Sequence, residues 1–134
     1  MEPAKIVARF LNGQIKKGYS QDFFPNKPVF HLSGDTKATS GEPEQVHLNE
    51  LKAVFFVKDF SGNPDYEEQK RFEEGDKASG RKVEITFVDG EVLQGSVLGY
   101  NPQKAGFFLF LADPKGNNAR VFVVKHAVKN FRYL

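Results

Sequence analysis

The chain has 134 residues, of which 40% are hydrophobic and 27% charged, a balance that is typical of a soluble globular protein and excludes disorder of the whole chain. It contains no cysteine, which excludes disulfides, thiolate metal sites and cysteine nucleophiles. No apolar run approaches the roughly 20 residues of a membrane-spanning helix, and the first residues show no signal-peptide pattern, so we expect a cytoplasmic protein without membrane contact.

The formal net charge of +2 is distributed unevenly along the chain. Residues 1–60 carry eight basic and seven acidic side chains, residues 61–80 three and six, and residues 81–134 eight and four. The net charges of these three segments are therefore +1, −3 and +4. The positive charge of residues 81–134 favours partners that carry phosphate groups. The basic residues of this segment are scattered, however, which is equally typical of an ordinary solvated surface.

The sequence contains an internal repeat. Residues 5–32 align without a gap with residues 82–109 at a constant offset of 77. Eight positions are identical: Lys5/Lys82, Phe10/Phe87, Gly13/Gly90, Gly18/Gly95, Pro25/Pro102, Lys27/Lys104, Phe30/Phe107 and Leu32/Leu109. Similarity at a fixed period indicates that one small fold occurs twice. We therefore predict a first repeat domain at 1–60, a linker at 61–80 and a second repeat domain at 81–134.

Each repeat begins with a predicted hairpin. Apolar residues occupy every second position of its first strand: Ile6, Ala8 and Phe10 in one copy, Val83, Ile85 and Phe87 in the other. This period of two predicts strands with one buried and one wetted face. Asn12-Gly13 and Asp89-Gly90 then predict tight turns. Gly18 and Gly95, inside the returning strands, predict a bulge or a sharp bend.

Three further strands complete each repeat, and the predicted fold class is all-β. They are expected at 29–32, 46–48 and 51–57 in the first copy and at 107–111, 121–124 and 128–134 in the second. Closure into a small barrel would remove exposed edges, although a strongly bent open sheet fits the same pattern. Between the copies, a proline at the start and a glycine at the end predict a short acidic helix over 66–74.

The second copy carries a recognisable pattern. Its stretch Val83-x-Ile85-x-Phe87-x-x-Gly90-x-x-x-x-Gly95-x-Val97-x-x-Tyr100 resembles the first motif of the Sm-like fold, a strongly bent five-stranded barrel of ribonucleoprotein cores and bacterial RNA-binding rings. The resemblance implies two tandem Sm-like small barrels joined by a short acidic helix. The arrangement also resembles a group of uncharacterised bacterial proteins, which implies no activity.

The resemblance also implies positions for RNA contact. Asn101 stands where that family has an acidic residue, and Lys125-His126 lies where it has an Arg-Gly pair. The loop over 113–120 adds Lys115 and Arg120, and basic residues beside aromatic ones suit single-stranded nucleic acid. The loop's sequence is also ordinary turn chemistry, and the neighbouring phenylalanines suit a core. The nucleic-acid-binding candidates are Asn101, Lys115, Arg120, Lys125 and His126.

The sequence gives little support for metal binding or for catalysis. His31 and His47 fall on strands that antiparallel pairing brings together, as a metal site requires. Their repeat partners are Phe108 and Val124, which indicates half-buried strand positions, and no third ligand has suitable spacing. We therefore expect no metal and no cofactor. No catalytic carboxylate pair, phosphate-binding loop or nucleophile turn occurs, so we do not expect an enzyme.

Two functional hypotheses follow. The first is a non-enzymatic module that binds single-stranded RNA or a ribonucleoprotein. The alternative is a protein-protein adaptor or regulatory barrel without nucleic-acid binding, suggested by the apolar run at 54–57. A strand needs only one buried face for its own core, so we expect Phe55 and Phe56 to be interface residues, against the other repeat, the linker or a second copy in a homo-oligomer.

Overall fold

The computed structural model describes residues 4–34, 43–58, 80–99, 104–112 and 118–134. Ten strands lie in this part of the chain: β1 (Ala4–Phe10), β2 (Ile15–Ser20), β3 (Val29–Leu32), β4 (Glu44–His47), β5 (Leu51–Val57), β6 (Arg81–Phe87), β7 (Val92–Val97), β8 (Gly106–Leu111), β9 (Asn118–Val124) and β10 (Val128–Tyr133). Two 3₁₀ turns, Leu48–Glu50 and Lys125–Ala127, separate the last two strands of each half. The all-β prediction is confirmed, and the helix predicted over 66–74 falls outside the described residues.

Every strand pair among the described residues is antiparallel, and the two halves of the chain follow one strand order. Eight strands form a sheet in the order β10-β6-β7-β8-β9-β5-β1-β2, and β3 pairs with β4. An isolated bridge between Tyr19 and Ser33 connects β2 to β3. The first half is therefore ordered β5-β1-β2-β3-β4 and the second β10-β6-β7-β8-β9. No helix in the described residues is long and apolar enough to span a membrane.

The described strands form open sheets rather than closed barrels, so of the two expected arrangements the open sheet is observed. The 3₁₀ turn Leu48–Glu50 leads the chain from β4 into β5. Strand β5 then pairs with β1 on one side and with β9 of the other half on its other side. The edge that would close the first half on itself is thus occupied by the second half.

Strands β5 and β9 form a wall that two hydrophobic cores share. On one face of this wall lie Val54, Phe56, Phe122 and Val124, which belong to the core of the first half. On the other face, Ala53, Phe55, Val121 and Val123 belong to the core of the second half. Because successive side chains of a strand point to opposite faces, one strand pair supplies both cores. Each half therefore completes its core with a strand of the other.

The predicted hairpin turns are present, with loops one residue longer than the two-residue turn signal. Phe10 donates its N–H to the carbonyl of Gln14 at 2.9 Å, and Phe87 bonds Glu91 in the same way at 2.8 Å. Three residues therefore form each loop. Among the described residues only glycines have positive φ, and Gly13 and Gly90 have φ of 92° and 95°. This is the expected place for glycine in a three-residue hairpin loop.

Gly18 and Gly95 mark a close approach of strands rather than a bulge. The pairing of β1 with β2 runs through Gly18, and that of β6 with β7 runs through Gly95, without a register shift. A Cβ on Gly95 would lie 2.5 Å from the carbonyl oxygen of Phe110, and one on Gly18 would overlap the carbonyl oxygen of Ser33. The missing side chain lets the second strand of each half approach the third.

One side chain of the face predicted to be wetted is in fact buried. Glu84 is 9% exposed. Its carboxylate accepts hydrogen bonds from Gln94 Nε2 at 2.8 Å and from Arg132 Nε at 2.9 Å. Burial of the carboxylate is tolerated because a guanidinium and an amide both donate to it.

Candidate ligand-binding cavity

A cluster of five phenylalanines lies where the two halves meet. Phe23 is near its centre, with ring centroids 5.1 Å from Phe30, 5.4 Å from Phe56 and 5.3 Å from Phe122. Phe108 closes the cluster at 5.2 Å from Phe122. These contacts are edge-to-face, the arrangement that aromatic quadrupoles favour. The cluster thus packs rings from both halves against one another.

Arg120 lies against this cluster and extends to the surface. The pairing of β5 with β9 places Arg120 opposite Phe56. Its guanidinium carbon lies 4.5 Å from the Phe56 ring centroid and 4.6 Å from that of Phe108. Two cation-π contacts favour this orientation of the side chain although it is exposed. Ordering the guanidinium beforehand reduces the entropy that a ligand must remove on binding.

Beside Arg120 is a cavity of about 590 Å³. It is lined by Pro25, Leu98, Gly99, Lys104, Gly106, Phe107, Phe108, Phe110, Arg120 and Phe122. The charged residues in this lining are both cationic, and the remainder is apolar or glycine. Leu98 at the cavity is 71% exposed. A cavity of this size and composition suits a flat, partly apolar ligand that carries negative charge.

The structure positions three of the five nucleic-acid candidates. Arg120 lines the cavity. Lys125 and His126 are exposed in the 3₁₀ turn after β9. The backbone N–H of Lys125 donates to the carbonyl of Ala105 at 2.8 Å, which attaches this turn to the segment that lines the cavity. Asn101 and Lys115 lie outside the described residues.

The two interface candidates, Phe55 and Phe56, are both buried within the chain. Phe55 is 5% exposed in the core of the second half, and the guanidinium carbon of Arg9 lies 4.7 Å from its ring centroid. Phe56 is 7% exposed and belongs to the core of the first half. The apolar excess of β5 is therefore covered by the two halves of one chain.

His31 and His47 do not form a metal site in the described structure. Both lie on the paired strands β3 and β4 and are exposed, and the His31 side chain is 48% exposed, about half buried as expected. His31 pairs across the strands with Gln45, and its Nδ1 lies 2.6 Å from Asp22 Oδ2. No group of three or more potential metal ligands occurs among the described residues.

The carboxyl group of Asp22 is perturbed by this contact. Partial burial raises its pKa, but hydrogen bonds outweigh that effect and the pKa is below its ordinary value. The donors are the backbone N–H of His31 at 2.9 Å, the ring of His31, and the hydroxyl of Ser20 at 3.1 Å. Asp22 thus anchors β3 through the backbone and the ring of His31.

A second polar cluster, which the sequence analysis missed, fastens the two halves together. Lys52 Nζ donates to Asp89 Oδ2 at 2.7 Å and to Glu91 Oε1 at 2.6 Å, and it lies 4.7 Å from the Phe87 ring centroid. Lys52 is 7% exposed. The cavity residue Lys104 was also missed. The repeat itself carried a signal for both lysines, since each is identical to its partner at the offset of 77.

Comparisons with known proteins identify a family but no activity. No curated protein and no solved structure matches the chain. The sequence profile of a family of unknown function (DUF6982) matches residues 2–134. Because the match covers nearly every residue, the chain belongs to this family of unknown function.

Proposed function

We propose that this protein is a non-enzymatic module that binds single-stranded RNA, with one nucleotide in the cavity beside Arg120. The observation that carries the proposal is the position of the Arg120 guanidinium over two phenylalanine rings at the cavity. Single-stranded nucleic acids are bound by surfaces that combine stacking platforms with cationic groups. The cavity offers both within one site.

The composition of the cavity supports a nucleotide over an uncharged apolar ligand. Arg120 and Lys104 supply positive charge for a phosphate, whereas the phenylalanine and leucine side chains supply an apolar surface for a base. A guanidinium that is ordered on aromatic rings presents its planar donors in a fixed geometry, which suits a phosphate better than a mobile ammonium does. The excess of basic residues in 81–134 attracts the backbone of a longer strand.

We further propose that the two halves are tandem Sm-like repeats. The offset of 77 and the identical strand order of the two halves support this proposal. In such an arrangement the exposed Lys125 and His126 belong to the same RNA-binding surface, since their turn is attached to the cavity segment through Ala105. The adaptor hypothesis loses its strongest support, because Phe55 and Phe56 are buried.

The test is fluorescence anisotropy with a labelled single-stranded RNA of about ten nucleotides, at two salt concentrations. We expect salt-sensitive binding by the wild-type protein and about tenfold weaker binding by Arg120→Ala, since a charged hydrogen bond to a phosphate is lost. Arg120→Lys keeps the charge but not the planar fork, and we expect it to restore only part of the affinity.

The matched control is Lys17→Ala, which removes an exposed charge from β2 at the far end of the eight-stranded sheet. We expect it to lower the affinity less than Arg120→Ala does. Unfolding curves of each variant show whether the fold is retained. The proposal fails if the wild-type protein shows no salt-sensitive binding at micromolar concentration, or if Lys17→Ala and Arg120→Ala weaken binding equally.

A further inference from the structure

Arg81 and Tyr133 form a stacked pair at the surface of the second half. Arg81 is the first residue of β6, and Tyr133 is the last of β10. Tyr133 lies opposite Val83 in the pairing of these strands, so Arg81, two positions before Val83, is diagonal to Tyr133 on the same face of the sheet. The guanidinium carbon of Arg81 lies 3.9 Å from the Tyr133 ring centroid. At this distance the flat guanidinium is in van der Waals contact with the ring.

The pair repeats an arrangement that is present at the Arg120 cavity. Moved by the offset of 77, Phe56 corresponds to Tyr133. The guanidinium of Arg120 lies 4.5 Å from the Phe56 ring, and that of Arg81 lies 3.9 Å from the Tyr133 ring. The two arginines come from different strands, β9 and β6. The same ring position of each half therefore holds a guanidinium, although the internal repeat does not supply the arginine.

A row of aromatic rings connects Tyr133 with the cavity. Phe107 lines the cavity. Its ring centroid is 5.5 Å from that of Phe131, which in turn is 5.2 Å from that of Tyr133. Both contacts are edge-to-face, with interplanar angles of 90° and 87°. Phe107 is 6% exposed and Tyr133 is 45% exposed, so the row extends from the core to the surface.

The backbone connects Arg81 with the cavity along a second route. Arg81 lies opposite Val97 in the pairing of β6 with β7, and Leu98 follows Val97 directly. A Cβ on Gly80, the residue before Arg81, would lie 3.0 Å from Leu98 Cδ2. Leu98 is also part of the cavity lining and is 71% exposed. The stacked pair and the cavity are therefore neighbours, with Leu98 at the border between them.

We propose that Arg81 and Tyr133 form a second stacking subsite for single-stranded RNA, next to the nucleotide in the Arg120 cavity. This inference rests on the proposed function and adds a direction to it, since the strand leaves the cavity past Leu98 and continues across Arg81. Arg81 and Tyr133 are both exposed and accessible to a base. A strand on this path also covers the exposed Leu98 side chain, which removes apolar surface from water.

The guanidinium of Arg81 offers both a plane and an edge to a nucleotide. One of its faces lies on Tyr133, and the opposite face is a flat surface on which a base stacks. Its N–H donors lie in the guanidinium plane, so they point sideways, toward a phosphate. Residues 81–134 carry eight basic and four acidic side chains, which favours an anionic backbone in this half. Single-stranded RNA supplies both a base for the plane and a phosphate for the edge.

Variants of Tyr133 test the subsite in the same anisotropy assay with labelled single-stranded RNA. Tyr133→Ala removes the ring beneath the guanidinium, and we expect about tenfold weaker binding. Tyr133→Phe keeps the ring and should bind within about twofold of wild type. The matched control is Leu134→Ala, which truncates the exposed side chain of the next residue and should also stay within about twofold. Unfolding midpoints show whether each variant is folded.

Variants of Arg81 separate the effect of stacking from that of charge. Arg81→Ala should weaken binding about tenfold and reduce the slope of log affinity against log salt by about 0.7, the value for one phosphate contact of a single strand. Tyr133→Ala should leave this slope unchanged, because every cation is retained. In the double variant the loss of affinity should be smaller than the product of the two single losses, since the two side chains form one platform.

Photochemical cross-linking locates the base directly. RNA that carries 5-iodouridine is bound to the wild-type protein and irradiated, and the cross-linked peptides are sequenced by mass spectrometry. We expect a cross-link at Tyr133 that an excess of unmodified RNA suppresses. Tyr19, a half-buried tyrosine of β2 at the far end of the eight-stranded sheet, is the control and should give none.

Three results would overturn the second subsite while the Arg120 site still binds RNA. The first is equal RNA affinity of Tyr133→Ala and Leu134→Ala. The second is a double variant of Arg81 and Tyr133 in which the two single losses multiply in full. The third is a salt-sensitive complex without a cross-link at Tyr133. A wild-type protein without salt-sensitive RNA binding would instead overturn the proposed function and this subsite together.

Discussion

Lys52 Nζ lies 2.7 Å from Asp89 Oδ2, although the two residues are 37 positions apart in the chain. The hydrogen bond connects β5 of the first half to the β6-β7 turn of the second half. The lysine side chain is 9% exposed, whereas that of the aspartate is 52% exposed. A nearly buried ammonium is thus neutralised by a carboxylate that remains in contact with water, so most of the desolvation cost falls on the lysine.

This contact predicts a pH-dependent stability difference. The hydrogen bonds from Lys52 and from the backbone N–H of Glu91 hold the pKa of Asp89 below its ordinary value. A depressed pKa contributes stability above the unfolded-state pKa, about 4, that is lost as pH falls through the folded-state value. Asp89→Asn keeps the turn geometry and removes the charge. We expect it to cost up to about 1 kcal/mol at neutral pH, since the group is half exposed and screened.

The measurement is urea unfolding of wild-type protein and Asp89→Asn at a series of pH values from neutral to about 3. The difference in unfolding free energy should shrink as the pH falls below about 4. A difference that is the same at every pH would show that the charge of Asp89 has no part in the stability.

The shared wall predicts a large effect of truncating Phe55. Its ring is 5% exposed in the core of the second half, although β5 belongs to the first half. Phe55→Ala should lower the unfolding free energy by about 3 to 5 kcal/mol, because it leaves a cavity between packed elements. The control is Leu98→Ala, where the side chain is 71% exposed and the expected change is within about 0.5 kcal/mol. Similar denaturation midpoints for the two variants would contradict the shared wall.

The close approach of β7 to β8 predicts that Gly95 tolerates no side chain. A Cβ there would lie 2.5 Å from the carbonyl oxygen of Phe110, whereas a Cβ on Gly99 would meet nothing within 4 Å. Gly95→Ala should destabilise the protein by about 1 to 3 kcal/mol, as overpacking does. Gly99→Ala should be close to neutral. Thermal unfolding of the two variants compares them directly, and equal melting temperatures would show that the strands separate easily.

The contact of Asp22 with His31 predicts a change in carboxyl titration. Partial burial raises the pKa of Asp22, and hydrogen bonds from the backbone and ring of His31 more than offset this. In His31→Ala the ring is lost but the backbone N–H remains, so the pKa of Asp22 should rise toward its ordinary value. Carboxyl carbon chemical shifts followed by NMR against pH report this value. His47→Ala, the exposed histidine of the neighbouring strand, is the control and should leave it unchanged.

Sequence patterns alone determined most of the local structure. The predicted strands at 29–32 and 51–57 match β3 and β5 in their bounds, because alternation and bounding turn residues act over a few positions. Gly13 and Gly90 were placed in turns for the same local reason. The sequence did not show what distant segments decide: Gly18 and Gly95 make room for a third strand without a bulge, and Glu84 is buried beside Arg132, 48 positions away.

The site was only partly accessible from the sequence. Arg120 was selected because it is basic and near aromatic residues, but the ring of Phe56 that holds it belongs to the other half of the chain. The apolar residues on both faces of β5 indicated that both faces are covered. They did not indicate which segment of the chain covers each face. Pairing of β5 with β9 fixed that choice, and with it the shared cores, the Arg120 cavity and the bond from Lys52 to Asp89. Sequence thus determined where strands form, since that depends on neighbouring residues, whereas the tertiary structure decided which strands meet, since that depends on contacts between residues far apart in the chain.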